Sequence, residues 1–89
     1  MKGSTYFGLL AEFGTAEIPL EELADKYFGL DKKTAYSRAA LNKLPVPTYR
    51  GGSQKSGRLV SAGNLAEYLD DQKAAAELEW KKSNSIRVA

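Results

Sequence analysis

The apolar positions of the chain fall into four groups. In "STYFGLLAEF", Phe7, Leu10 and Phe13 recur at helical spacing, with Ser4 placed to cap and Gly14 to stop a short helix over Ser4–Phe13. Gly8 and the aromatic content leave a strand as the alternative, and the aromatics are expected in the core. A second helix is expected in "IPLEELADKYFG": Pro19 suits a first turn, Glu21 and Glu22 suit the positive end of the dipole, and Gly29 suits the stop. Leu20, Leu23, Ala24, Tyr27 and Phe28 make its apolar stripe. Asp31 can cap a third helix through "DKKTAYSRAALNKL", ended by Pro45, with Ala35, Ala39, Leu41 and Leu44 as inward candidates. The last helix begins near Ser61 or Asn64 and runs to about Lys82, with Leu65, Tyr68, Leu69, Gln72, Ala76 and Trp80 along one side.

Between the third and last helices lies "LPVPTYRGGSQKSGRLVS". The segments "VPTYR" and "RLVS" have the β-branched and aromatic alternation of strands, and "GGSQKSG" is a turn-rich connection of hairpin length. A tight helix pair followed by a hairpin has the proportions of a winged helix-turn-helix, mainly α with a small β-hairpin. Residues 1–82 are therefore read as one such domain with an extended C-terminal helix, and "SNSIRVA" as a flexible tail over 83–89.

Length and composition narrow the chemistry. Eighty-nine residues, 43% hydrophobic and 27% charged, suit one small globular domain with a marginal core. No cysteine or histidine is present, which removes disulfides, thiolate and imidazole metal ligands, and the commonest nucleophile–base pairs. The expectation is a non-enzymatic protein with no cofactor or metal. The absence of a long apolar run or a signal-peptide pattern points to the cytoplasm and away from a membrane. "GGSQKSG" lacks the spacing of a phosphate-binding loop and does not open a helix.

Charge is uneven. Residues 31–58 hold Lys32, Lys33, Arg38, Lys43, Arg50, Lys55 and Arg58 against Asp31 alone, whereas the flanking segments are net acidic. Clustered cations with few carboxylates form the footprint of a polyanion site. The third helix would offer Lys32, Lys33, Thr34, Tyr36, Ser37 and Arg38 to the major groove of double-stranded DNA and its phosphates. The hairpin would add Arg50, Gln54, Lys55 and Arg58 toward backbone or minor groove, with glycines permitting close approach.

The order of motifs resembles the pyocin activator protein PrtN family. The resemblance rests on Phe13-Gly14, "IPL", "KYFGL", "LPVP" followed by Arg50, "SQKS" and "LAEYLDDQKAAA", and covers the chain to about Ala76. It implies binding at promoter elements and activation of bacteriocin or prophage genes, with RNA polymerase as a candidate partner. The family leads one to expect a bulkier aliphatic residue where Gly8 stands. The stretch "LPVPTYRGG…RLV…LAEYL" is also similar to the wing and closing helix of phage excisionases and MerR-type proteins, which implies an alternative role in recombination directionality. A third alternative is a protein-interaction adaptor without DNA binding, acting through the last helix. "DDQKAAAELEWKK" could pair with a second copy, or stand as a solvated extension with Trp80 folded back on the core.

Overall fold

In the computed structural model, residues 3–51 and 57–88 are described, the side chains beyond Asn84 aside. Helix α1 (Gly3–Phe13) ends at Gly14, whose φ of +73° is the left-handed conformation that stops a helix. Its buried residue is Leu9, while Tyr6, Leu10 and Phe13 are half-buried against the core. Phe7, expected in the core, is 66% exposed: the buried face is centred on Leu9, and a residue two positions away points about 200° around the helix.

The chain then forms a strand that periodicity did not foretell. Strand β1 (Glu17–Pro19) occupies what was read as the start of the second helix, and Ile18 at its centre is fully buried. Helix α2 (Leu20–Leu23) follows at once and widens into a π-helical segment, Ala24–Phe28. Gly29, at φ +65°, closes it, and the Leu30 N–H donates back to the Ala24 carbonyl over 3.2 Å.

Helix α3 (Lys32–Ala40) starts on Asp31, whose carboxylate accepts the Thr34 N–H at 2.9 Å. It stops short of the expected Leu44. Asn42 takes φ +55°, and the Lys43 and Asn42 amides donate to the Arg38 and Ala39 carbonyls over 2.8 and 3.1 Å. This is a Schellman closure with Asn in the place glycine commonly takes. The early stop leaves Leu41 64% exposed, not inward, while Leu44 still reaches the core edge.

Strands β2 (Tyr49–Arg50) and β3 (Arg58–Ser61) form the anticipated antiparallel hairpin, with Tyr49 opposite Leu59 and Arg50 opposite Arg58. Strand β3 is the middle of a three-stranded antiparallel sheet in the order β1-β3-β2, pairing Ile18 with Val60 on its other edge. Helix α4 (Ala62–Val88) follows directly and buries Ala62, Leu65 and Ala66. Ile18, Leu20, Leu23, Ala35, Ala39 and Val60 complete most of a core built from every element but β2. The molecule is thus mainly helical around one small sheet.

Helix α4 continues past Lys82 into the stretch read as a tail. Gln72, Ala76 and Trp80, assigned to its inward side, are exposed, and Trp80 at 65% exposure is not folded onto the core. The side is the right one, but the body beneath it ends at the contacts with α1. There Thr5 donates to Asp70 Oδ1 over 2.6 Å and accepts from Lys73 Nζ at 3.5 Å. Among the described residues no helix is long and apolar enough to cross a membrane.

Candidate nucleic-acid interface

The alanines of α3 decide which way its polar residues face. Ala35 and Ala39 are buried against the core, where their small side chains let α3 lie close to α2. The opposite side of the helix therefore carries Lys33 and Ser37 into solvent, both exposed. Lys32 and Arg38 are exposed as well, on its two flanks. The two ion pairs among the described residues join Lys26 to Glu12 and Lys81 to Glu77, so no cation of α3 is neutralised by one.

Two residues expected to face a ligand are engaged within the fold. Thr34 is half-buried and belongs to the cap: its hydroxyl and then its N–H hold the Asp31 carboxyl below the usual carboxylate range. Tyr36 is also half-buried, and its hydroxyl donates to Glu21 Oε2 over 2.6 Å and accepts the Arg58 N–H at 3.3 Å. Burial, and then the bond to Glu21, push the Tyr36 phenol up, so it stays a donor at neutral pH. One hydroxyl thus joins α2, α3 and the root of the hairpin.

Gly57 is what lets the hairpin come so near. A Cβ at that position would collide with the Tyr36 hydroxyl, so its lack of a side chain makes room for a protein contact. This glycine is one of those expected to permit close approach to a ligand. Glu21, read only as a helix-dipole residue, is the other part of the junction that sequence did not reveal. The contact spans fifteen residues, and nothing in the local pattern signals it.

The hairpin's two described cations are placed differently. Arg50 is exposed on β2 and near enough to Tyr36 for its charge to act on the phenol. Arg58 is half-buried and donates from Nη1 to Thr48 Oγ1 over 3.3 Å. Gln54 and Lys55, assigned to the tip, lie outside the described residues. Lys32 shares the Tyr36 side of α3 and so lies toward the hairpin, one turn away. Arg38 does not share that side: two residues beyond Tyr36, it stands about 200° around the helix, on the far flank. Helix α3 therefore carries Lys32 on the side of the junction, Lys33 and Ser37 on its outer face and Arg38 on the far flank, with Arg50 beside Tyr36 on β2.

Similarity supplies a second line of information. A family model described as pyocin activator protein PrtN matches residues 5–76, which is most of the chain and all of the elements just described except the first two residues of α1 and the far part of α4. No curated protein and no solved structure gives a significant match.

Proposed function

The chain belongs to the pyocin activator protein PrtN family, and on that footing we propose that it is a cytoplasmic, sequence-specific, double-stranded DNA-binding activator of bacteriocin or prophage transcription. The fold is read as a winged helix-turn-helix. Its helix pair is α2 with its π-helical extension and α3, joined by the tight turn at Gly29. Its wing is the β2–β3 hairpin. The protein acts by binding, without catalysis.

The observation that carries this reading is the set of exposed cations on α3, which have no ion-pair partner among the described residues, beside a hairpin root tied to that helix through Tyr36. Helix α3 would enter the major groove with Lys33 and Ser37 toward the bases. Lys32 and Arg38, on opposite flanks, then meet the phosphates that wall the groove on either side. Arg50, Gln54, Lys55 and Arg58 serve the adjoining backbone or minor groove from the hairpin. RNA polymerase is the partner an activator would engage once bound.

Protection mapping of prophage DNA by the purified chain tests the proposal, with Arg38→Ala and Lys55→Ala as probes. A discrete footprint upstream of a bacteriocin operon is expected. Each substitution should weaken it about tenfold or more while thermal unfolding stays nearly unchanged. Retention of full affinity by both variants would reject the assigned surface.

A further inference from the structure

We infer that the far part of α4 is the contact for a second copy of this chain, paired antiparallel so that Asp71 of each copy meets Lys82 of the other. From Asp71 to Ser83 every residue of α4 is exposed, a length of about 20 Å that touches the body only near its start, where Lys73 meets Thr5. The molecule extends 59 Å along its longest axis against 26 Å and 16 Å across, so the projection is large for a chain of this size. A single exposed helix gains nothing from burial, which is where most helical stability in proteins originates.

The pattern on this projection fits itself. Asp71, Ala75, Leu78 and Lys82 recur at spacings of four, three and four residues and so form one stripe. Leu78 is 58% exposed, and neither Asp71 nor Lys82 has an ion-pair or hydrogen-bond partner among the described residues. Laid antiparallel against its own copy, the stripe places Leu78 on Ala75 at the centre and Asp71 against Lys82 at both ends. Each contact occurs twice by symmetry. A parallel pairing would set Asp71 on Asp71 and Lys82 on Lys82, so the charges select the antiparallel arrangement.

A feature of the body agrees with this register. The last turns of the second copy's helix run toward a cleft of about 270 Å³ between α4 and the loop before β2, lined by Pro45, Val46, Pro47, Glu67 and Tyr68. Asp71 is also part of its lining. Trp80 lies on the opposite side of the helix, two residues from Leu78, and takes no part. Only one alanine and one leucine from each copy meet at the centre, so the interface is small and the expected dissociation constant is on the order of 10–100 μM.

Sedimentation equilibrium of the full chain at low salt tests this without DNA, with helicity followed by circular dichroism on each variant. The wild type should show a reversible monomer–dimer equilibrium. Leu78→Asp should be monomeric, and Asp71→Lys and Lys82→Glu should each weaken the dimer roughly tenfold, since each change counts twice. The double variant Asp71→Lys/Lys82→Glu should recover the wild-type constant, which a merely misfolded helix could not do. Trp80→Ala should leave the equilibrium unchanged. A monomer up to about millimolar concentration, no recovery in the double variant, or an equal effect of Trp80→Ala would overturn the pairing.

Discussion

The Tyr36 hydroxyl is the point at which the separate parts of the proposed surface become one object. It is bonded to a carboxylate of α2 and to the first amide of β3, and its ring packs at the core edge. Removing the hydroxyl should free Glu21 and leave the Arg58 N–H without its partner. Tyr36→Phe is therefore expected to cost about 1 kcal/mol of stability in urea unfolding, the net worth of such bonds. Gly57→Ala should be at least as damaging, because the added methyl displaces the same hydroxyl from both partners. Equal stability of both variants and the wild type would show that the junction is incidental. Glu12 is held below the usual carboxylate range by its bonds to Lys26 and then Tyr27, and so forms a second tie, between α1 and the π-helical segment.

Among the elements, β3 matters more than its four residues suggest. It pairs with β1 on one edge and β2 on the other, so the hairpin is anchored to the chain segment that precedes α2. Ile18 and Val60 face one another across that pairing, both fully buried. Ile18→Ala should cost about 3 kcal/mol, measured by denaturant unfolding, a large share of what a chain this short can hold in reserve. A loss under about 1 kcal/mol would mean that β1 is not a core element. This strand is also where sequence reading ran out. Three residues ending in proline carry no periodicity, and "IPL" suits a helix start as well as a strand end. The Gly14 and Gly29 stops are legible because few residue types accept the left-handed conformation, the Asp31 cap because its carboxylate can accept an early helix amide, and the "RLVS" strand from its β-branched alternation. Asn42, not Pro45, stops α3, because asparagine also tolerates the left-handed region.

At the scale of the whole molecule, charge and shape divide the labour. The middle third of the chain is cationic and forms α3 and the hairpin, while the acidic residues of the first and last thirds lie largely on α1, α2 and α4. The basic block was plain in the sequence, and so were Lys32, Lys33, Ser37 and Arg38 as its exposed members on α3. The engagement of Tyr36 and Thr34 was not, because both depend on contacts that only the folded chain brings about. The measurement that bears most directly on the account is the salt dependence of affinity for a duplex carrying the footprinted site. With about six cations neutralising phosphates, the logarithm of the association constant should fall against the logarithm of salt concentration with a slope near −5. A slope near zero, at any affinity, would contradict the claim that α3 and the hairpin together grip DNA.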